Sequence, residues 1–209
     1  MTERYTFSED QRDCLQEVIN VAIGQAGDAL ARFLEVFVRL SVPRIQLLGS
    51  EELPDLIQKA QFAEDKISAV RQGFSGIARQ AVHGEAVVIY SGASHRELVE
   101  LLGYETSGGI VAEAELLCDV SNILVGNCLS NLARQFDGDA VFSAPSSLLM
   151  QRPFYELTTQ LSIEWESALL VEIQYALERG TFGCTLMLLM PNEVVAQLGA
   201  LIDKILDEL

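Results

Sequence analysis

Two stretches of the chain carry acidic and amide side chains at the same spacing. Residues 13–20 read DCLQEVIN and residues 115–122 read ELLCDVSN. In each, an acidic residue is followed after three residues by a second one, and after two more residues by an asparagine. The residues are Asp13, Glu17 and Asn20 in the first stretch, and Glu115, Asp119 and Asn122 in the second. Residues three and four positions apart share one face of a helix, so each set predicts a polar stripe.

Both stretches lie in segments whose apolar residues recur at steps of three and four. Residues 10–39 and residues 111–136 therefore predict long amphipathic helices, and Ser8 is the expected N-cap of the first. Gly24 and Gly126 continue the two polar stripes by about one turn. Glycine in a helix interior costs on the order of 1 kcal/mol relative to alanine. One reason for its presence at both places is a bulky partner that must approach the stripe closely.

The two segments belong to an internal repeat. An offset of 102 residues aligns them without a gap and pairs Asn20, Gly24, Arg32 and Pro43 with Asn122, Gly126, Arg134 and Pro145. Shared helical propensity does not readily place asparagine, glycine, arginine and proline in register, so we infer a duplication. Each copy then continues as strand, hairpin and shorter helix, with turn signals at His83-Gly84 and at residues 178–180.

This pattern predicts an α/β (α+β) fold. We expect residues 1–209 to form a single domain built of two repeats, at about 8–103 and 110–209, because no linker-like stretch separates them. A pseudo-twofold axis should relate the repeats, which share a sheet of about six strands and contribute two long motif-bearing helices.

Composition excludes several classes of function. The formal charge of −16 repels phosphate backbones, so we expect no nucleic-acid partner. We find no signal peptide and no apolar run of the roughly 18 residues that a membrane span needs, so we expect a cytoplasmic protein without membrane contact. The four cysteines and two histidines lack zinc-site spacing, which favours buried, reduced thiols.

The stripes also limit the chemistry. They have no nucleophile beside a histidine, so acyl transfer is not expected, and no further ligands converge to complete a metal site. A carboxamide donates and accepts hydrogen bonds at once, which suits it to orient a water molecule, as an amide does in GTP hydrolysis. A carboxylate one turn away can bind a cation on a partner. Such a stripe suits insertion into an active site that supplies its own metal, although a solvated helix face is the simpler alternative.

At these residues the sequence resembles the CheC/CheX/FliY family of chemotaxis phosphatases. The family motif is an acidic residue or serine, three residues, Glu, two residues, Asn, twenty-two residues and Pro. Asp13, Glu17, Asn20 and Pro43 match it throughout. Glu115, Asp119, Asn122 and Pro145 match the spacing, the asparagine and the proline, but Asp119 stands where the family has glutamate.

The resemblance implies a CheC-like phosphatase that hydrolyses the aspartyl phosphate of a CheY-type response-regulator receiver domain. Asn20 and Asn122 would position the attacking water, and Glu17, with Asp119 in the second copy, would pair with the receiver's lysine. Partner contacts would come from Asp13, Gly24, Glu115 and Gly126, while Pro43 and Pro145 would be structural. The receiver would supply Mg²⁺, so the chain needs no cofactor of its own.

A second interpretation keeps the fold without the catalysis. The chain would then be an interaction module that binds a receiver domain, a flagellar component or a CheD-type deamidase. The recurrence of asparagine favours the enzyme, because a binding surface has no special need for an amide at that place twice. The shorter side chain of Asp119 favours a second site that is weaker or serves binding only.

Overall fold

A computed structural model describes residues 5–49, 52, 66–77, 82–102, 109–160, 167–178 and 182–208. Within these residues the chain forms five helices and eight strands. The helices are α1 (Glu9–Leu34), α2 (Ser94–Leu102), α3 (Gly109–Gln135), α4 (Glu156–Gln160) and α5 (Asn192–Asp207). The strands are β1 (Val38–Leu40), β2 (Arg44–Gly49), β3 (Lys66–Gly76), β4 (Val82–Ser91), β5 (Val141–Phe142), β6 (Ser146–Pro153), β7 (Ser167–Leu177) and β8 (Gly183–Pro191).

The strands form one antiparallel sheet in which the two halves of the chain are intermixed. Its order is β1-β7-β8-β4-β3-β5, with β2 also paired to β7 and β6 also paired to β3. The central pair joins β4 to β8, from Glu85 opposite Leu189 to Tyr90 opposite Cys184. Strands β1 and β2 of the first half pair with β7 of the second, and β5 and β6 of the second half pair with β3 of the first. Each half therefore completes the sheet of the other.

The α+β class is confirmed, but the described residues form eight strands of the sheet rather than about six. The two extra strands are β1 and β5, with 3 and 2 residues. Segments this short cannot display the alternation by which a strand is recognised in a sequence. They form because each lies beside a long strand of the other half, as where Leu40 pairs with Tyr175 and Phe142 pairs with Phe74.

Both faces of the sheet are covered. Helices α1, α2, α3 and α5 place their apolar sides on one face, which holds the main core of the described residues. On the other face a smaller core gathers Ile67, Val87 and Leu170 from the strands with Phe154 and Leu157 from around α4. Double-sided burial explains why β4 and β8 read as continuous apolar runs, AVVIY and LMLLM, rather than as alternating sequences.

Helix α3 is unusually apolar for a surface helix. By length and composition its segment Glu113–Gln135 is the one described helix that could cross a membrane. Its residues Leu117, Val120 and Leu124 are fully buried in the main core, and the buried hydroxyl of Ser121 hydrogen-bonds that of Tyr90 at 2.8 Å. The segment is therefore a core helix of this fold.

The first helix is shorter than its sequence pattern predicts. Its N-terminus forms as expected. The Ser8 hydroxyl accepts a hydrogen bond from the Gln11 backbone N–H, and Gln11 Oε1 accepts one from the Ser8 backbone N–H. Its C-terminus lies at Leu34 rather than near residue 39, because Glu35 adopts the left-handed conformation with φ 55°. Val38, which lies inside the predicted segment, belongs to β1 instead.

Both predicted hairpins form, but the turn signal in the first one is misplaced. His83 and Gly84 lie inside β4, and the hairpin closes earlier, where Ile77 bridges Val82. Gly84 serves close packing instead, because a Cβ there would lie 2.2 Å from the Leu189 carbonyl oxygen and 2.8 Å from the Phe74 ring. The second hairpin is confirmed by the pairing of β7 with β8, whereas residues 179 and 180 of its predicted turn lie outside the described residues.

We expect Gly84→Ala to lower the free energy of unfolding by roughly 1–3 kcal/mol, because β8 must move to admit a methyl group. Urea denaturation measures the change. Gly183→Ala is the matched control on β8, since the nearest atom to a Cβ there is 3.6 Å away. Equal stability of the two variants would contradict the packing role of Gly84.

Candidate functional site

The two motif sets lie on the outer sides of the two long helices. Asp13, Glu17, Asn20 and Gly24 are exposed along α1. On α3, Glu115, Asp119 and Asn122 are exposed and Gly126 is partly exposed. The buried residues between them, such as Leu15 and Val18 on α1, belong to the main core. Each stripe is therefore accessible to a partner and rests on a helix that the core holds in place.

Asp13, Glu17, Glu115 and Asp119, the stripe carboxylates, form no ion pair within 4.0 Å with a cation of the described residues. Glu17 lies one turn before Asn20 on the same exposed face, and Asp119 lies likewise before Asn122. Each asparagine thus has beside it a carboxylate that can bind a cation supplied from outside the chain.

The spacing between asparagine and proline, which is the same in both halves, corresponds to one repeated connection. After α1 the chain runs through β1, Ser41, Val42 and buried Pro43 into β2, and after α3 it runs through β5, Ser143, Ala144 and Pro145 into β6. A proline lacks a backbone donor and suits a position just before a strand. Both prolines thus occupy the structural place that the sequence predicts for them.

Each connection is held to the opposite half of the chain by a serine. Ser41 exchanges backbone hydrogen bonds with Gln174 of β7, its N–H donating to the carbonyl and its hydroxyl accepting from the N–H, both at 3.0 Å. Ser143 makes the same two contacts with Gly73 of β3, both at 2.9 Å. The connection that follows each helix is therefore fixed in the same way.

Two glutamines that sequence reasoning missed contact the motif asparagines. The Gln72 side chain on β3 donates from Nε2 to Asn122 Oδ1 at 3.1 Å and to the Ser143 carbonyl at 2.9 Å. In the first half, Gln16 of α1 donates from Nε2 to Asn20 Oδ1 and to the Pro43 carbonyl, both at 3.5 Å. The contact of Gln16 could have been predicted, because Gln16 lies one turn before Asn20 on the same helix. No local feature of the sequence links Gln72 to Asn122.

The stripe glycines are not required by the protein's own packing. A Cβ built on Gly24 or Gly126 would meet no atom within 4 Å. The space above both positions is open, and neither helical glycine has a positive φ. This agrees with a role in admitting a partner, since the fold itself offers no reason to omit a side chain.

The cysteines are unsuited to nucleophilic chemistry. Burial raises the pKa of Cys14, and burial followed by the charges of Asp119 and Glu115 raises the pKa of Cys118 beside the second stripe. Burial raises the pKa of Cys128 to about 12 and that of Cys184 further. At neutral pH all four are thiols rather than thiolates, and the thiolate is the reactive form.

Among the described residues no group of three or more His, Cys, Asp and Glu side chains could hold a metal ion. The two carboxylates of each stripe therefore stand without further ligands in the described part of the chain.

Comparison with known proteins identifies solved structures of similar architecture. No family model matches the chain. The crystal structure of Thermotoga maritima FliY matches 96% of this chain and 99% of its own, with a TM-score of 0.68 and 14% identity. The FliM middle domain from H. pylori matches 93% and 99%, with a TM-score of 0.58 and 11% identity. The chemotaxis protein CheX from Desulfovibrio desulfuricans matches 82% and 99%, with a TM-score of 0.53 and 12% identity.

The chain therefore has the CheC-like fold across most of its length, as the motif resemblance predicts. At these identities the likeness establishes the fold. Solved structures with this fold include chemotaxis proteins and FliM middle domains, so the fold alone assigns no role to the stripe residues.

We expect Gly24→Ala and Gly126→Ala each to raise the free energy of unfolding by about 0.5–1 kcal/mol, because alanine is the better helix former and its methyl group meets no neighbour. Urea denaturation provides the measurement. Gly27→Ala is the control on α1, since a Cβ there would lie 2.9 Å from the Leu40 side chain. Loss of stability in both stripe variants would mean that the fold itself needs these glycines.

Proposed function

We propose that this protein is a phosphatase that hydrolyses the aspartyl phosphate of a CheY-type receiver domain. One observation carries the proposal: an exposed amide with an unpaired carboxylate one turn before it, set on a core-anchored helix and repeated on a second helix. The CheC-like fold supports it, because the motif and the fold point to the same class of protein.

The proposed mechanism divides the work between the two proteins. The receiver brings the phosphorylated aspartate, a lysine and Mg²⁺. The stripe of α1 enters the receiver's site, where Glu17 binds the lysine and fixes the register of the helix. Asn20 then orients a water molecule for in-line attack on phosphorus. The new bond forms to the water oxygen, the bond from phosphorus to the aspartyl oxygen breaks, and inorganic phosphate and a free aspartate result.

The open space above Gly24 supports this mode of insertion. A helix that enters a narrow site must bring its backbone close to the partner, and a missing side chain on the entering face permits that. The raised thiol pKa values of the four cysteines agree with catalysis by positioning, because the reacting groups then belong to the receiver.

The second site should act through the same geometry with weaker docking. Aspartate is shorter than glutamate by one methylene, so the Asp119 carboxylate reaches about 1.5 Å less far toward the receiver lysine. A misplacement of this size can reduce the rate by about a hundredfold. We therefore assign the stronger phosphatase site to α1 and the weaker one to α3.

The competing function is a binding module without catalysis. The fold is shared with FliM middle domains, and Asp119 departs from the motif, which are the two observations in its favour. Its partner would be a receiver domain, a flagellar component or a CheD-type deamidase. In either case the expected location is the cytoplasm, where receiver domains act.

The decay of a ³²P-labelled CheY-type receiver, with Mg²⁺ present, tests the proposal. We expect wild-type protein to accelerate the decay, Asn20→Ala to remove most of the acceleration, Asn122→Ala to remove less, and the double variant to remove all of it. Asn131→Ala on α3 is a control, since its side chain donates to the Asn127 carbonyl of its own helix. Receivers that bind but decay at their own rate would establish the binding module instead, and a larger loss from Asn122→Ala would reverse the ranking of the sites.

Asp119→Glu tests the docking argument separately. In the Asn20→Ala background, where only the second site can act, we expect this change to lower KM for the phosphorylated receiver by about tenfold, because the lysine contact is restored. The reverse change, Glu17→Asp in the Asn122→Ala background, should raise KM by a similar factor. Unchanged KM in both variants would show that these carboxylates do not contact the partner's cation.

A further inference from the structure

Gln72 lies beneath the second stripe and contacts its asparagine from the sheet. Its side chain extends from the centre of β3, and the residue is only 2% exposed. The amide nitrogen Nε2 has two acceptors, the Ser143 carbonyl oxygen at 2.9 Å and Asn122 Oδ1 at 3.1 Å. Both distances lie within the ordinary range for an N–H to oxygen hydrogen bond.

This arrangement fixes the orientation of two amide groups in sequence. A backbone carbonyl can only accept, so Gln72 must present Nε2 rather than Oε1 to Ser143. The second N–H of the same nitrogen then faces Asn122, which must answer with its own acceptor, Oδ1. The Asn122 Nδ2 group is thereby directed away from Gln72, with both of its N–H donors unused by this contact.

We propose that Gln72 is a positioning residue of the second site, which holds the Asn122 carboxamide in one orientation before a partner arrives. The inference rests on the proposed phosphatase function, in which Asn122 orients the attacking water. An exposed asparagine otherwise rotates among several orientations, and only a fraction of them place the amide correctly. The Oδ1 atom keeps a second lone pair, so Asn122 can still both accept from and donate to the reacting groups.

The fold itself has no need for glutamine at this place. The Oε1 atom of Gln72 is buried and has no hydrogen-bond partner among the described residues, which costs stability. The two halves show the alternative. Ser146, the first residue of β6, pairs with Arg71, and Arg44, the first residue of β2, pairs with Glu172. The next residue along is Gln72 on β3 and Ile173 on β7, and Ile173 is fully buried in the core.

The first half holds its asparagine by another route. Gln16 reaches Asn20 Oδ1 from within α1, at 3.5 Å, and its second acceptor, the Pro43 carbonyl, is equally far. These contacts are longer than those of Gln72, and Gln16 is only partly buried. Cys118 occupies the equivalent place on α3 and cannot do the same. The second asparagine is therefore the more firmly held, even though its docking carboxylate is the shorter one.

The test is Gln72→Ile, which introduces the residue that the other half tolerates. In the Asn20→Ala background, where the second site acts alone, we expect kcat for receiver dephosphorylation to fall about tenfold with KM unchanged, since docking is untouched. In the Asn122→Ala background the same substitution should bring no further loss, because its target side chain is gone. Equal losses in both backgrounds, or a rise in KM without a fall in kcat, would overturn the proposal.

A second measurement does not depend on activity. In protein labelled with ¹⁵N at asparagine and glutamine side chains, the heteronuclear NOE of the Asn122 amide should report a rigid group and that of Asn20 a more mobile one. Gln72→Ile should make the Asn122 amide mobile and leave Asn20 unchanged. An Asn122 amide that is already mobile in the wild type would refute the role of Gln72. If no variant accelerates receiver decay, the phosphatase assignment fails, while the NOE still decides whether Gln72 holds Asn122.

Discussion

The pairing of β2 with β7 and of β6 with β3 is the constraint on which the rest of the structure depends. Through it, each long helix is followed by a connection that is hydrogen-bonded to a strand of the opposite half, at Ser41 and Gln174 in one case and Ser143 and Gly73 in the other. The surface beneath each polar stripe is therefore composite. At the second stripe, for example, the helix comes from one half of the chain and Gln72, which contacts Asn122, comes from the other.

The long helices and the repeat of this fold can be predicted from the sequence, whereas short strands and contacts between distant residues cannot. The helices can be recognised because their apolar residues recur over several turns. The repeat can be recognised because asparagine, glycine and proline recur in register. Strands β1 and β5 are too short to show a period. Gly84 reads as a turn residue, yet close packing against Leu189 explains it. The contact between Gln72 and Asn122 joins residues that are 50 positions apart, and only the sheet register brings them together.

The two stripes differ in two physical properties, although the elements that carry them correspond to each other. The stripe of α1 keeps the longer carboxylate of Glu17 but holds Asn20 through long contacts from its own helix. The stripe of α3 has the shorter Asp119 but holds Asn122 from a buried strand residue. Under the proposed function, reach toward a partner and rigidity of the asparagine are thus distributed unequally, and a single ranking of the two stripes combines two separate quantities.

The intermixed sheet also has a consequence for how the protein is made. During synthesis α1 and β2 leave the ribosome long before β7, the strand to which β2 pairs from Arg44 opposite Glu172 onward. Until β7 is synthesised, β2 has an unpaired edge, and such edges can pair with other chains. Sequence-distant pairing of this kind also slows folding. A chain interrupted before β7 lacks the partner strand for β1 and β2, so the connection that follows α1 is fixed only late in synthesis although it is encoded near the start.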